Sequence, residues 1–197
     1  MPKVGMRPLR RKQLIAAAIQ SIHEYGLADA TIARIARKAG VSTGIVHHYF
    51  KDKNDLLFAT MRWLLEELRN EAVARLKAAN GPKERIYAVV DASFDDTQFS
   101  ADVMTAWLAL YGSAQTSERL RRILHIYARR LQSNLRHGLG QLMDSGEAEL
   151  AAESTAALID GLWLKAALTG GVADAGHPRR LVHRHIDMQI AIHGAKQ

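Results

Sequence analysis

The sequence predicts an all-α protein in which a three-helix N-terminal helix-turn-helix domain precedes a larger helical domain. Three observations support this prediction. The chain has 197 residues, of which 48% are hydrophobic, which is enough to bury a core in one or two small domains. Its apolar residues recur at the three- and four-residue spacing of amphipathic helices. It contains only four prolines and 14 glycines, and β-branched residues do not dominate.

The N-terminal elements follow from apolar spacing and from end signals. A first helix is predicted over residues 9–25, with Ile15, Ile19 and Ile22 on one face and Gly26 as its stop. Thr31 is a suitable N-cap for a second helix over residues 32–39. Gly40 and Val41 then form a turn, and Ser42 can cap a third short helix over residues 43–50.

The rest of the chain also has helical patterns. A polar joint over residues 51–54 precedes a long helix over 55–79, which ends before the break at Asn80-Gly81-Pro82. Further helices are predicted over 83–96, 101–114, 118–143 and 147–169, and Pro178 opens a last helix that ends near residue 193. We place the domains at residues 1–55 and 56–197.

Several classes of protein are excluded by what the sequence lacks. It has no cysteine, which excludes disulfides, thiol nucleophiles and zinc fingers. There is no run of 18 apolar residues, and no apolar stretch follows the basic opening, so we expect neither a membrane span nor a signal peptide. No Gly-rich phosphate loop, nucleophile motif or HExxH spacing is present. We therefore expect a soluble, cytoplasmic protein that is not an enzyme and needs no cofactor or metal.

Positive charge is concentrated at the start of the chain. Residues 1–55 carry ten basic and four acidic residues, whereas residues 56–197 carry 17 basic and 16 acidic residues. Such an excess favours a polyanionic partner, which could be DNA, RNA or an anionic membrane surface. A solvated basic surface is the alternative.

The segment over residues 31–50, within this basic region, has the pattern of a helix-turn-helix. Its third helix carries an apolar side, to which we assign Ile45, Val46, Tyr49 and Phe50, and a polar side with Thr43, Gly44, His47 and His48. Gly44 has no side chain, so the helix can approach DNA closely, and a helix of this size fits the major groove. A three-helix packing unit with no role in DNA binding would have the same shape.

A set of residues links this segment to a known family. It comprises Thr31, Ile35-Ala36, Gly40-Val41-Ser42, Tyr49-Phe50, Lys51-Asp52-Lys53 and Leu56-Leu57. With it, residues 9–58 resemble the DNA-binding domain of the TetR family of bacterial repressors. The blocks Met1-Pro2-Lys3, Gly5-Met6, Arg10-Arg11, Ser42-Thr43-Gly44-Ile45, Phe94-Asp95-Asp96-Thr97-Gln98 and Ile159-Asp160-Gly161-Leu162-Trp163-Leu164 are similar to the choline-responsive branch of that family. The resemblance is weakest over residues 62–90 and after Gly170.

The resemblance implies a TetR-like fold and a homodimer on a palindromic operator of double-stranded DNA. By motif position, the residues that face base edges are Thr43, Gly44 and His47. Those that contact phosphates are Thr31, Arg34, Ser42, His48, Tyr49, Lys51 and Lys53. His48 is alternatively a solvated polar residue. The cluster Arg7, Arg10, Arg11 and Lys12 is either an arm that contacts phosphates or the minor groove, or a flexible basic tail.

The resemblance also implies a repressor of genes that convert choline to glycine betaine, induced by choline or a similar quaternary ammonium. Aromatic faces and a carboxylate hold such a cation. The candidate ligand-binding residues are Trp63, Met104, Trp107, Tyr111 and Trp163, with Asp91, Asp95 and Asp160. Alternatively, the aromatic residues belong to the core and Asp160 pairs with Lys165 or an arginine in a dimer interface.

The same sequence features are compatible with other functions. One is a TetR-type regulator that responds to another cationic or hydrophobic molecule, or that activates. Another is a helical adaptor that binds only protein. The resemblance places the homodimer interface on the last two helices. The final helix has two apolar rows, Leu181/Met188/Ile192 and Val182/Ile186/Ile190, and a second row indicates a partner face unless the helix is buried within one subunit.

Overall fold

The computed structural model describes residues 6–169 and 174–194, and all regular elements over these ranges are helices. The opening block Met1–Gly5 and the segment 170–173 lie outside the described residues. The helices are α1 (Met6–Asp29), α2 (Ile32–Lys38), α3 (Thr43–Tyr49), α4 (Lys53–Ala78), α5 (Pro82–Ser93), α6 (Ala101–Ala114), α7 (Glu118–Leu139), α8 (Ser145–Thr169) and α9 (Gly176–His193). The prediction of an all-α fold is therefore confirmed.

The first helix differs most from its prediction. It begins at Met6, so Arg7, Arg10, Arg11 and Lys12 are helical, and the alternative that they form a flexible tail is wrong. Gly26 interrupts the helix with a φ of 73° and a ψ of 165°. Glycine adopts this conformation without the Cβ clash that other residues meet. The chain therefore kinks at Gly26, where the sequence predicts a stop, and resumes helical structure to Asp29.

The first compact unit comprises the described residues up to Leu64 together with Ala101–Arg121. In it α1 packs on α2 and α6 around side chains that are fully buried, including Leu14, Ile22, Ile35, Val46, Phe50, Leu56, Met61 and Leu110. Arg119, in the first turn of α7, lies 3.5 Å from the centre of the Phe58 ring and 3.4 Å from a carboxylate oxygen of Asp55. These contacts join the start of α7 to the start of α4. The predicted domains, residues 1–55 for DNA binding and 56–197 for ligand binding and dimerisation, are defined by function and stay a prediction.

The second unit comprises Leu65–Ser100 and the described residues from Arg122 onward. Its α9 packs against α5 and α8, and Val182 and Ile186 are fully buried there. Gly138 lies so close to α5 that a Cβ added to it would lie 2.5 Å from Ile86 Cγ1. Leu164 and Leu168 of α8 and Leu181, Met188 and Ile192 of α9 are exposed. No helix among the described residues is long and apolar enough to span a membrane.

Candidate nucleic-acid interface

The turn between α2 and α3 is built on a left-handed glycine. Gly40 has a φ of 65°, its N–H donates to Arg37 O at 3.1 Å, and the N–H of Val41 donates to Ala36 O at 3.0 Å. This pair of hydrogen bonds is the Schellman motif, which ends a helix and satisfies its last carbonyls. The turn predicted from Gly40 and Val41 is confirmed, and it fixes the direction in which α3 leaves α2.

Both short helices begin at hydroxyl caps. Thr31 Oγ1 accepts a hydrogen bond from the N–H of Arg34 at 3.3 Å, and Ser42 Oγ accepts one from the N–H of Ile45 at 3.4 Å. Because each hydroxyl oxygen acts here as an acceptor, its own hydrogen stays available to a phosphate oxygen. The predicted caps are confirmed. Thr31 and Ser42 are both exposed, and both lie at helix ends that solvent reaches.

Helix α3 presents a small exposed surface. Val46 and the C-cap residue Phe50 are buried. Thr43, Gly44, His47 and His48 are exposed, as predicted. Tyr49 is half-buried, and its ring meets the ring of His48 edge to face at 5.2 Å. The three residues predicted to read bases and the predicted phosphate contact His48 therefore lie on solvent-accessible faces of one helix.

Ile45 is the residue of α3 that the sequence places wrongly. Apolar spacing assigns it to the buried side, but 39% of it is exposed. Successive residues of a helix are about 100° apart, so Val46 points into the core while Ile45 turns toward the exposed flank. Its neighbours Thr43 and Gly44 are exposed as well. The signal that could have identified it is its position three residues after the cap Ser42.

Two predicted phosphate ligands are engaged at the end of α1. Lys53 Nζ donates to Leu27 O at 2.5 Å and to Ala28 O at 3.1 Å, while Arg34 donates to Asp29 O at 2.9 Å. The guanidinium of Arg34 also lies 4.6 Å from the centre of the Tyr25 ring. Burial lowers the pKa of the half-buried Lys53. These cations therefore satisfy three successive carbonyls at a helix end, a favourable position for positive charge.

Part of the basic cluster of α1 packs against the helix-turn-helix. Gln13 donates to Ala39 O at 2.7 Å and accepts from Arg10 at 2.7 Å. The guanidinium of Arg11 lies 4.6 Å from the centre of the Phe50 ring. Lys12 Nζ lies 5.9 Å from the centre of the Trp63 ring. These residues are thus held by the domain and form part of its basic surface.

The aromatic ligand candidates of the first unit have protein neighbours. Met104 and Trp107 are buried, Tyr111 is half-buried, and the Trp107 and Tyr111 rings lie 5.5 Å apart and tilted by 31°. Trp63 is half-buried and already has the Lys12 ammonium near its ring. Within this unit, the pair Trp107 and Tyr111 is the aromatic cluster that the spacing of α6 brings together.

Two acidic candidates of the second unit have partners that the sequence does not reveal. Asp95 accepts from Arg75 at 2.7 Å and from the Thr97 hydroxyl at 2.7 Å. Burial by itself would raise the pKa of Asp95, but the hydrogen bonds from Thr97 and Arg75 lower it overall. An oxygen of Asp91 lies 2.9 Å from His183 Nε2, and the His183 ring stacks on Tyr87 at 3.9 Å. The pair Arg75 and Asp95 joins α4 to the turn after α5, and the contact between Asp91 and His183 lies between α5 and α9.

The two candidates on α8 are more open. Trp163 is half-buried, and Asp160, three residues earlier on the same side of the helix, is exposed. Desolvation by the surrounding protein atoms nevertheless raises the pKa of Asp160. No hydrogen bonds of the kind that hold Asp95 restrain Asp160 within the described ranges, so it is the acidic candidate with the most freedom to meet a cation. Among the described residues, no group of three or more His, Asp or Glu side chains could hold a metal ion.

Comparison with known proteins matches nearly the whole chain. Residues 14–60 match the model of bacterial regulatory proteins of the tetR family, and residues 82–191 match the model of the BetI-type transcriptional repressor C-terminal domain. The HTH-type transcriptional regulator BetI of Stenotrophomonas maltophilia is 47% identical over 96% of this chain and 97% of its own length. That of Serratia proteamaculans is 46% identical over 98% of both chains.

Solved structures agree with this fold. The crystal structure of a putative transcriptional regulator from Pseudomonas aeruginosa PAO1 has a TM-score of 0.75 at 26% identity, covering 93% of this chain and 91% of that one. A putative regulator from Saccharomonospora viridis, crystallised in complex with choline, has a TM-score of 0.77 at 21% identity, covering 91% and 96%. The chain therefore belongs to the TetR family of bacterial regulatory proteins, and it is a BetI-type helix-turn-helix transcriptional regulator, not an enzyme.

Proposed function

We propose that the chain is a homodimeric repressor that binds a palindromic operator through α3 and is induced by choline or a similar quaternary ammonium. The observation that carries the DNA-binding part is the exposed face of α3. It is held by the Schellman turn at Gly40 and by the caps Thr31 and Ser42. A helix fixed in this way can enter the major groove and place a few side chains against base edges.

The proposed base contacts come from Thr43, Gly44, His47 and, from its exposure, Ile45. Histidine and threonine can hydrogen-bond to base edges. Gly44 lets the backbone come close, since a Cβ added there would meet only Ser42 Oγ, at 3.8 Å. Ile45 can contact the methyl group of a thymine, which is the apolar feature of the major groove.

The proposed phosphate contacts surround this face, from the hydroxyls of Thr31, Ser42 and Tyr49 and from His48 and Lys51. Lys53 and Arg34 are also proposed to contact phosphates, although both already donate hydrogen bonds to the carbonyls at the end of α1. An ammonium has three N–H donors, and the carbonyls of Leu27 and Ala28 use two of them, which leaves one for a phosphate oxygen. Arg34 likewise has five N–H donors, more than its contacts with Asp29 occupy.

The proposed dimer uses the last two helices. Val182 and Ile186 bury one row of α9 within its own unit, and this leaves Leu181, Met188 and Ile192 exposed on the other. Leu164 and Leu168 of α8 are also exposed. Apolar side chains this numerous on two packed helices indicate a face that a second copy covers.

The proposed inducer is choline. The support is the BetI name of the curated relatives, together with the choline complex of the Saccharomonospora viridis protein. Trp107, Tyr111 and Trp163 supply aromatic faces, and Asp160 supplies the most open carboxylate. On this basis the regulated genes are those that make glycine betaine from choline. A TetR-type regulator for a different cationic or hydrophobic molecule is the second candidate, because the low identity of the choline complex shows only the fold.

The DNA-binding part is tested by base substitution. Fluorescence anisotropy would follow binding of the purified protein to the DNA upstream of its own gene and to variants with single base changes. We expect His47→Ala to lose discrimination at one base pair of each half-site, and Ile45→Ala to become indifferent to replacement of one thymine by uracil, which removes only the methyl group. Unchanged discrimination in both variants would contradict the proposal for α3.

A further inference from the structure

Helix α7 carries a basic surface that lies outside the helix-turn-helix. Its 22 residues include six arginines, two histidines and no lysine, with Glu118 as the one acidic residue. From residue 122 onward the helix belongs to the second unit. We call Arg122, His125, Arg129 and Arg130 the basic face of α7. Their spacing of three, four and one residues keeps them on one side of the helix, and solvent reaches them there.

The basic face of α7 has no anionic partner among the described residues. No carboxylate of that part of the chain lies within 4.0 Å of the guanidinium groups of Arg122, Arg129 or Arg130. Further along the helix, Arg136 does have such a partner, Glu149 at 3.1 Å. Because like charges on adjacent turns destabilise a helix, an unneutralised cluster of this kind favours binding of a polyanion.

The other side of α7 explains why this face stays open. Leu131, Leu135 and Leu139 are buried in the second unit, so the basic face points away from that core. Ile126 is the one large apolar side chain of α7 that is exposed, and one such side chain is too few for a lipid layer or the core of a protein interface. Guanidinium groups dominate the face, and guanidinium forms paired hydrogen bonds with phosphate oxygens.

We propose that the basic face of α7 binds the phosphate backbone of DNA beyond the base pairs that α3 reads. This inference rests on the proposed DNA-binding function, which already brings a duplex to the protein. The face spans about 12 Å along the helix at about 1.5 Å per residue. Duplex DNA carries one charge for about every 1.7 Å of its axis, so several phosphates lie within that span. The result is a contact that adds affinity without reading sequence.

The test compares two duplexes that contain the same binding sequence. One is the shortest upstream fragment that the wild-type protein still binds, and the other extends it by about 20 base pairs of unrelated sequence on each side, which is about two helical turns. We expect the wild-type protein to bind the longer duplex at least several-fold more tightly. The variant Arg122→Gln/Arg129→Gln is expected to bind the short duplex as the wild type does and to lack the gain from the extension.

Two further variants sharpen the comparison. Arg69→Gln/Lys77→Gln removes the same charge from exposed positions of α4 and is expected to keep the full gain. Arg122→Lys/Arg129→Lys keeps the charge, so it is expected to retain most of the gain in affinity on the longer duplex. Circular dichroism would verify that each variant has the helix content of the wild type. For each phosphate that Arg122→Gln/Arg129→Gln no longer neutralises, the salt slope on the longer duplex should fall by about one.

The outcomes separate the inference from the function on which it rests. Equal gains in the wild-type and Arg122→Gln/Arg129→Gln proteins would overturn the inference while leaving operator binding intact. Equal reductions of the gain in that variant and in Arg69→Gln/Lys77→Gln would also overturn it, because net charge would then explain the effect. Failure of the wild-type protein to bind either duplex would contradict the proposed function, and the inference with it.

Discussion

Lys53 acts at the junction between the end of α1 and the start of α4. Its ammonium donates to the carbonyls of Leu27 and Ala28, which lie in the last turn of α1 and lack helical partners because the helix ends at Asp29. The same ammonium is the proposed phosphate ligand. In the proposed function, one side chain therefore contributes both to the stability of the DNA-binding unit and to its electrostatic attraction for the duplex.

The variant Lys53→Ala separates these contributions. We expect it to weaken binding to operator and to unrelated DNA by similar factors, and to lower the salt slope by about one, because a phosphate contact carries no sequence information. It should also lower the free energy of unfolding by about 1 kcal/mol, because the carbonyls at the helix end would lack their charged donor. Anisotropy across a salt series and thermal unfolding measure the two effects. Lys53→Arg is the control, and a loss of affinity confined to the operator would contradict this role.

At the scale of the element, the sequence predicts caps and turns that depend on local chemistry better than helix ends that depend on other contacts. The turn at Gly40 and the caps Thr31 and Ser42 follow from local chemistry, so their prediction is confirmed. The ends of α5 and α7 come earlier than predicted, at Ser93 and Leu139. After Ser93 the chain turns where Thr97 hydrogen-bonds to Asp95, a contact that apolar periodicity does not record.

The variant Gly44→Ala tests whether α3 approaches DNA as closely as proposed. Gly44 has helical backbone, and an added Cβ would make only an ordinary contact with Ser42 Oγ. Alanine should therefore stabilise the free protein by about 0.5–1 kcal/mol, since glycine is a poor helix former. It should also weaken operator binding, because the methyl group would occupy space at the base edges. Thermal unfolding and anisotropy are the measurements. A more stable variant that binds the operator as tightly as the wild type would contradict a close approach of α3 to the base edges at Gly44.

The variant Asp95→Asn tests the network that holds the loop after α5. In the folded protein the pKa of Asp95 lies below its ordinary value, so the charged carboxylate favours folding at neutral pH. That contribution is present above the unfolded pKa of about 3.9 and is lost as the pH falls through the lower folded value. We expect the variant to lose about 1–2 kcal/mol of stability at pH 7. Denaturant unfolding at pH 7 and below pH 4 should show the difference closing, whereas a constant difference would argue against the ion pair with Arg75.

At the scale of the whole molecule, the sequence predicts more of the candidate DNA-binding face than of the candidate ligand site. Recognition helices are short and local, so motif position is enough to place Thr43 and His47 at the surface. The candidate ligand residues come from segments distant in sequence, and their tertiary partners decide their roles. Asp95 is the clear example. Its ion-pair partner Arg75 lies on α4, and the residue spacing of neither segment indicates that the two side chains meet.

In the proposed function, a homodimer connects operator binding with the response to an inducer. A palindromic operator needs two recognition helices related by a twofold axis, with half-sites about 34–36 Å apart or at a multiple of that distance. The exposed rows of α8 and α9 are where a second copy would supply that symmetry. In the same proposal, an inducer would act by binding more tightly to a state of the dimer that fits the operator poorly.

The most direct test of this account is a choline titration of the complex with DNA upstream of the chain's own gene. Fluorescence anisotropy would follow the complex while sodium chloride, added at the same concentrations in a parallel series, controls for ionic strength. We predict that choline weakens binding well beyond the matched salt, and that the DNA weakens choline binding by the same factor, as linkage requires. Tight DNA binding that responds equally to choline and to sodium chloride would contradict choline induction.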